Sequence, residues 1–235
     1  MKILKCEQGS AEWFKHRVGV VTASEFKNLV STKWEIRTGE MPKSYLARKL
    51  AEWWLKGPLP GGGETYAMET GILLEERARP WYELERGVKV DRVGFILSDC
   101  GRWGCSPDGL IGEEGGLEIK CPQPATQISY LLLQRNGPTI PPDYEPQVFF
   151  SLWLTGRAWW DFLSYCPGLP PVLVRVEAAQ HKEKFAVIEK ALAKFDVEFE
   201  SAKKYLQATG WTPDAITTPV DETKTETIEA FDIIP

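Results

Sequence analysis

The sequence is poor in histidine, with only His16 and His181 among its 235 residues. Its five cysteines include no C-x-x-C pair, so the ligand spacing of structural zinc and iron–sulfur sites is lacking. The odd, scattered set instead favours free thiols in a reducing compartment. There is no run of about 18 apolar residues, and the N-terminus lacks the apolar stretch of a signal peptide. We therefore expect a cytoplasmic protein without a membrane span.

Positive charge is also scarce, since 28 basic residues face 33 acidic ones and the formal net charge is −5. The excess lies in residues 212–235, which hold six acids and one base, so residues 1–211 are neutral overall. We expect one domain over residues 1–211 and a mobile acidic tail over 212–235. Because the local field governs binding, a neutral body can still carry a basic groove. Composition therefore leaves the partner open.

The apolar pattern predicts an α/β domain, with a central mixed β-sheet flanked by helices. Helices are predicted at 10–16, 44–55, 65–85, 124–135, 143–155 and 180–208. Strands are predicted at 88–98, 103–110, 116–120, 158–166 and 172–177. Residues 31–43 are predicted to be polar loop. Thr22 and Glu25 form a capping-box pattern at the start of a further helix.

The most informative motif joins Asp108, inside Pro-Asp-Gly, to Glu118-Ile119-Lys120 across nine intervening residues. Strand alternation places Glu118 and Lys120 on one face and Ile119 on the other. A turn at 112–115 predicts a hairpin, which brings Asp108 beside Glu118. Two adjacent carboxylates repel each other unless a cation binds. Hard oxygen ligands of this kind suit Mg²⁺ or Mn²⁺.

Phosphodiester hydrolysis is a reaction to which these residue types are suited. A bound metal ion activates water and relieves charge on the phosphate, and two ions about 3.5–4 Å apart do so more fully. The Lys120 ammonium would orient the attacking water. The bare pattern also fits a salt-bridged surface hairpin. Pro107 and Gly109, which fix an extended entry and allow close backbone approach, favour the catalytic interpretation.

Three segments carry a resemblance to a known family. They are residues 17–25 (RVGVVTASE), residues 147–155 (QVFFSLWLT), and the CSPDGL and GLEIKCP strings at the ends of 105–122. Together they resemble the lambda exonuclease and YqaJ-like viral recombinase family of the PD-(D/E)xK nuclease superfamily, over roughly residues 9–165. The resemblance implies a restriction-endonuclease-like core within residues 1–211.

The resemblance also implies the roles of particular residues. The implied catalytic set is Glu75, Asp108, Glu118, Lys120 and Gln147, with Glu75 identified by its G-x-x-x-E context. Metal ligands would be Asp108, Glu118, Glu75 and the backbone carbonyl of Ile119. Glu76 is the alternative to Glu75, although it is better suited to an exposed pair with Arg79.

A 5′-phosphate pocket is implied as well, formed by Arg17, Thr22, Ser24 and Ser106. An arginine among hydroxyls suits a phosphate on physical grounds, although Thr22 and Ser24 could also serve only as helix caps. The family has a further pocket arginine where this sequence has Thr126, and the next base is Arg135. Either another residue substitutes, or dependence on the phosphate is weaker. Met68 is either a wedge at the fraying duplex end or part of the core.

We therefore expect a 5′→3′ exonuclease that acts on linear double-stranded DNA ends with two Mg²⁺ ions, with Mn²⁺ as an alternative metal. It would release mononucleotides and leave a 3′ single strand. The family resemblance further implies a homotrimeric ring, and the tail suggests a single-strand annealing protein as partner. The alternatives are a structure-selective or restriction-type endonuclease on the same core, or a non-cleaving DNA-binding module.

Overall fold

The computed structural model describes the backbone of residues 1–59 and 66–210 and, outside 66–72, their side chains. Its α-helices are α1 Ala11–Arg17, α2 Glu40–Leu55, α3 Tyr66–Arg86, α4 Pro124–Leu133, α5 Glu145–Thr155 and α6 Lys182–Ala208. Its strands are β1 Lys2–Leu4, β2 Val21–Thr22, β3 Phe95–Leu97, β4 Trp103–Cys105, β5 Gly109–Ile111, β6 Gly115–Lys120, β7 Trp159–Ser164 and β8 Val172–Glu177. Short 3₁₀ helices occupy Ala23–Asn28, Gln134–Asn136 and Ala178–Gln180.

These strands form two four-stranded mixed sheets. The first has the order β1-β3-β4-β2, and the second has the order β5-β6-β7-β8. In the second sheet, β5 and β6 form the antiparallel hairpin expected from the motif, whereas β6 and β7 run parallel. Parallel neighbours need a long connection, and α4 and α5 supply it. The predicted α/β class with mixed sheet and flanking helices is confirmed.

Two of the predicted strands are wrong in extent. The expected strand over 103–110 is divided into β4 and β5, which belong to different sheets. Pro107 lies between them and has no N–H to donate to a ladder. The expected strand over 88–98 is reduced to β3, and before it Asp91 forms only an isolated bridge with Leu110.

The start of α2 also differs from the prediction, which treated residues 31–43 as loop and began the helix at 44. The helix begins at Glu40, directly after Gly39, whose φ of +87° lies in a region that glycine adopts readily. Pro42 falls in the first turn, where the missing N–H has no helical partner to lose. Pro42 is therefore compatible with the helix.

Burial on both faces of β6 fixes where its side chains point. Leu117 and Ile119 are fully buried in a cluster with Ala78 and Tyr82 of α3. A larger cluster holds aromatic side chains of the 3₁₀ helix Ala23–Asn28, α5 and β7 together with apolar residues of α6. Glu118 points away from Ile119 and meets α5. The predicted alternation along the strand is thus confirmed.

Among the described residues, no helix is both long enough and apolar enough to cross a membrane. The five cysteines are free thiols, as expected.

Candidate active site

The β5–β6 hairpin brings the two motif carboxylates together. Gly109 is paired with Leu117 in the ladder, and the Asp108 amide donates to the Leu117 carbonyl at 3.1 Å. Asp108 therefore lies beside Glu118, as the spacing predicts. A Cβ on Gly109 would lie 2.0 Å from Val90 Cγ1, so only glycine permits this close approach. The Asp108 Oδ2 atom accepts a 2.5 Å hydrogen bond from the Ile119 amide.

The Glu118 carboxylate is 1% exposed, and its two oxygens have different surroundings. Oε1 lies 2.6 Å from the Lys120 ammonium and accepts a hydrogen bond from the Gln147 side chain at 2.5 Å. Oε2 is buried and has no hydrogen-bond partner among the described residues. An unsatisfied buried carboxylate oxygen is costly, so this atom is a natural ligand for a cation.

Burial and mutual repulsion shift the ionisation of these groups. Burial first, and then the Asp108 carboxylate, raise the pKa of Glu75 from 4.5 to about 8. Burial raises the pKa of Glu118 to about 7 against the opposing effect of Lys120, and it also raises the pKa of Asp108. Burial alone would lower the pKa of Lys120, but the Glu118 and Asp108 carboxylates outweigh it and raise that pKa. The cluster therefore favours any added positive charge.

The oxygen atoms of this cluster determine whether a divalent metal ion fits the site. In the described part of the chain, no three His, Cys, Asp or Glu side chains are arranged so that they could hold a metal as they stand. Two of the oxygens are engaged by protein groups, Asp108 Oδ2 by the Ile119 amide and Glu118 Oε1 by Lys120. Even so, the unpartnered Glu118 Oε2 and the neighbouring carboxylates supply the hard oxygen donors that such an ion needs. The donor chemistry fits a divalent cation.

Helix α3 carries two adjacent glutamates with different surroundings. Glu75 interacts electrostatically with Asp108, Glu118 and Lys120, which marks it as a neighbour of the cluster. Glu76 is 52% exposed and pairs with Arg79 and Arg92. Arg79 is buried, and its Nε donates to the Asp108 carbonyl at 3.3 Å. It therefore ties α3 to the loop that carries Asp108, a link that the sequence analysis did not predict.

A second cluster surrounds Arg17. Its guanidinium lies 3.4 Å from Thr22 Oγ1, 3.3 Å from Ser24 Oγ and 3.5 Å from Ser106 Oγ. In the described ranges, Arg17 forms no ion pair with any carboxylate. Burial lowers the pKa of Arg17, which reflects the cost of holding a guanidinium away from water. The four residues expected to form a phosphate pocket are thus contiguous, and an arginine with hydroxyl neighbours is suited to an anion.

Thr22 occupies the predicted N-cap position, but its side chain does not cap the helix. Thr22 precedes the 3₁₀ helix Ala23–Asn28 but makes no side-chain cap bond. Its hydroxyl donates instead to Glu25 Oε2 at 3.1 Å. Glu25 in turn pairs with Lys49 at 2.9 Å, and Lys49 is only 2% exposed. The side chain is thereby linked to the Glu25–Lys49 ion pair, because its hydroxyl donates to a carboxylate and does not accept from a backbone N–H.

Trp13 is a pocket residue that the sequence analysis missed. Its indole N–H donates to Ser106 Oγ at 2.7 Å, and its ring lies 4.1 Å from the Arg17 guanidinium carbon. The i, i+4 spacing of Trp13 and Arg17 on α1 brings them to the same helix face. That spacing was visible in the sequence. The contact with Ser106 was not, because it joins segments that are 93 residues apart.

Other predicted residues lie away from these clusters or cannot be placed. The Met68 side chain lies outside the described residues. Thr126 is exposed on α4, and Arg135 is exposed in the 3₁₀ helix Gln134–Asn136. In the described ranges, Arg135 forms no ion pair. Within the pocket as described, Arg17 is the cation that contacts the three hydroxyls.

Residues 12–158 match the YqaJ-like viral recombinase domain. The chain belongs to this family. The YqaJ-like match includes both clusters and all three segments that carried the resemblance. Nucleases of this kind generally use divalent metal ions, which agrees with the donor set around Glu118. The family predicted from the motifs is therefore confirmed.

Solved structures support the YqaJ-like assignment. The chain shares 30% identity with the alkaline exonuclease LHK-Exo from Laribacter hongkongensis, covering 85% of this chain and 100% of that one with a TM-score of 0.69. A complex of LHK-Exo with dAMP gives the same values. A phage-related exonuclease from Haemophilus somnus 129PT shares the fold, with 11% identity, a TM-score of 0.56 and coverage of 78% and 96%. No curated protein sequence matches the chain significantly.

Proposed function

We propose that this chain is a metal-dependent 5′→3′ exodeoxyribonuclease. It digests one strand of linear double-stranded DNA to mononucleotides and leaves a 3′ single strand for annealing-type recombination. The observation that carries the proposal is the buried Glu118 carboxylate, with Asp108 beside it and Lys120 paired to one oxygen, while the other oxygen has no hydrogen-bond partner in the described part of the chain. The family membership and the exonuclease title of LHK-Exo support the same activity.

The proposed metal ligands are Asp108, Glu118, Glu75 and the backbone carbonyl of Ile119, with two Mg²⁺ ions as the resident metal. When bound, such ions polarise the phosphate and lower the pKa of an attached water. In the metal-free site burial raises the pKa of Asp108 and of Glu118, so each carboxyl group favours a proton or a cation over an isolated negative charge. The Ile119 amide orients Asp108 by donating to its Oδ2 atom.

Lys120 and Gln147 act on the opposite side of Glu118 from its free oxygen. Both donate to Oε1, so they fix the orientation of the carboxylate plane and leave Oε2 available. The Lys120 side chain is 26% exposed, and its ammonium is proposed to reach the attacking water. We propose that it orients this water and stabilises its deprotonated form. Gln147 is proposed as the residue that holds Glu118 in place.

The Arg17 cluster is the proposed site for the 5′-phosphate of the digested strand. Arg17 offers a guanidinium without a carboxylate partner in the described ranges, and Ser24 and Ser106 present hydroxyls to it. Ser106 is two residues before Asp108, so the chain itself couples the pocket to the proposed metal site. A terminal phosphate held there would select an end over an internal bond. This supports a 5′→3′ exonuclease over an endonuclease.

We further propose a homotrimeric ring around duplex DNA and an annealing protein that binds the tail over residues 212–235. Met68 is retained as a proposed wedge at the duplex end. The tail and the Met68 side chain lie outside the described part, so these proposals rest on sequence alone. Deletion of residues 213–235 should weaken binding of a single-strand annealing protein. Unchanged affinity after this deletion would eliminate the partner proposal and leave the nuclease proposal intact.

The proposal is tested on a linear duplex with or without a 5′-phosphate, labelled at either strand end, in Mg²⁺ or EDTA. We expect metal-dependent loss of the 5′ label as mononucleotide, and Lys120→Ala should reduce it to a slow residual rate. Arg17→Met should reduce the preference for phosphorylated ends without removing metal dependence. A covalently closed circle is the control, and it should remain intact. Cleavage of the circle, or digestion from 3′ ends, would contradict the proposed activity.

A further inference from the structure

Tyr144 lies against the proposed catalytic lysine, although no motif identified it. The Lys120 ammonium is 5.5 Å from the centroid of the Tyr144 ring, within the range at which a cation is attracted to an aromatic face. Tyr144 is the N-cap residue of α5, three positions before Gln147. The start of one helix therefore supplies neighbours to both functional side chains of β6, Gln147 to Glu118 and Tyr144 to Lys120.

Two aromatic side chains hold the Tyr144 ring in place. It stacks on Phe162 with centroids 5.4 Å apart and 30° between the planes. Phe162 is the ladder partner of Glu118 in the parallel β6–β7 pair, so the stack is in register with the proposed active site. Tyr130 of α4 approaches edge-on, and its hydroxyl donates to the Tyr144 hydroxyl at 3.4 Å.

We propose that Tyr144 is a positioning residue for Lys120. Glu118 Oε1 restrains the ammonium from one side, at 2.6 Å, and the Tyr144 ring restrains it from another. With only the carboxylate, a long and flexible lysine side chain would retain several rotamers. The ring removes part of that freedom and keeps the ammonium directed to the attacking water. This inference rests on the proposed role of Lys120.

The test compares Tyr144→Phe, which keeps the ring, with Tyr144→Leu, which removes it, under steady-state conditions over a range of duplex concentrations. We expect Tyr144→Leu to reduce kcat about tenfold, within the range of a cation–π contact, with little change in KM for duplex DNA. Tyr144→Phe should stay within about twofold of the wild type. The matched control is Tyr130→Phe, which removes the hydroxyl contact without touching the ring. An equal loss in Tyr144→Phe and Tyr144→Leu would overturn the proposal, because the hydroxyl would then be the active part.

The same substitutions in a Lys120→Ala background separate positioning from general packing. If Tyr144 acts through Lys120, Tyr144→Leu should cause little further loss in that background. An undiminished tenfold loss there would mean a structural role and would refute the inference. If Lys120→Ala alone retains full activity, the proposed function of the site fails instead. Should Tyr144→Leu fail to fold, Tyr144→Phe and a Tyr144→Trp variant, both with a ring, still decide the outcome, since both must retain near-normal kcat.

Discussion

At the scale of single residues, the raised pKa values of two glutamates predict how the stability of the fold depends on pH. Glu75 and Glu118 have pKa values of about 8 and about 7, above their ordinary value of 4.5. A carboxyl group whose pKa is higher in the folded protein than in the unfolded chain stabilises the fold fully at pH values below its unfolded-state pKa. That stabilisation is lost as pH rises through the folded-state pKa. The metal-free protein should therefore lose stability between about pH 4.5 and pH 8, at up to about 1.4 kcal/mol per pH unit for each proton released.

The measurement is urea unfolding in EDTA at several pH values, repeated with Mg²⁺. Mg²⁺ should restore stability most at the alkaline end, because the carboxylates are ionised there and available as ligands. The matched variant is Glu75→Gln, which should flatten the pH dependence by removing one of the carboxyl groups whose pKa is raised. A profile in EDTA that rises with pH would contradict the assigned direction of the shifts.

Trp13 carries a second prediction at this scale. Trp13→Phe keeps the aromatic contact with Arg17 but removes the N–H that bonds Ser106. We expect the preference for phosphorylated over hydroxyl 5′ ends to fall about fivefold, because a pocket hydroxyl loses its fixed orientation. Trp13→Leu should reduce it further. The control is Trp153→Phe, which removes a similar indole bond to Glu189 outside the pocket. An unchanged preference in Trp13→Phe would limit Trp13 to packing.

Between elements, Arg79 links α3 to the loop of the proposed active site. It is one turn after Glu75 and donates to the Asp108 carbonyl, whereas Arg92 shares only the exposed Glu76. Arg79→Met should lower the free energy of unfolding by about 1–3 kcal/mol, since it leaves the half-buried Asp108 carbonyl without this donor. It should also reduce kcat by displacing Asp108.

Arg92→Met is the matched substitution and should change stability by less than about 0.5 kcal/mol, as expected for an exposed pair. Chemical denaturation and single-turnover digestion of both variants test the link. Equal effects in the two variants would mean that the Glu76 pair, and not the Asp108 contact, is the important one.

Comparison of single elements explains how much of the fold could be predicted from sequence. The β5–β6 hairpin and the alternation of Glu118, Ile119 and Lys120 depend on local turn chemistry and the period of two, so they were predictable. The division of 103–110 into two strands depends on which sheet each half joins, and that is determined by tertiary contacts. Pro107 was recognised as an extended entry to Asp108 but also ends the pairing of β4.

The candidate site likewise contains residues that could be predicted from the sequence and residues that could not. Asp108, Glu118 and Lys120 follow from one short motif, and the members of the Arg17 pocket follow from family resemblance. Trp13, Arg79 and the Thr22–Glu25 bond come from contacts between segments far apart in the chain or between side chains whose local pattern suggested another use. Periodicity and spacing report neighbours along an element, so they do not reveal such partners.

For the whole molecule, charge makes the homotrimer proposal testable. The chain has a net charge of −5, and residues 1–211 are neutral overall, so a strong long-range attraction to DNA is lacking. A closed ring would keep the enzyme on its substrate without that attraction. We therefore expect a sedimentation mass of three 26.6 kDa chains, about 80 kDa, and digestion that continues after excess unlabelled duplex is added as a trap.

Salt separates this mechanism from ordinary electrostatic retention. Loading onto an end should weaken as salt rises, because phosphate contacts release counterions. The length digested per loading event should change much less, since enclosure does not depend on those contacts. A monomeric mass under assay conditions, or a run length that falls as steeply with salt as loading does, would contradict the ring. Deletion of residues 213–235 is the control for charge: it removes the acidic excess, so it should ease loading at low salt and leave run length unchanged if enclosure retains the enzyme.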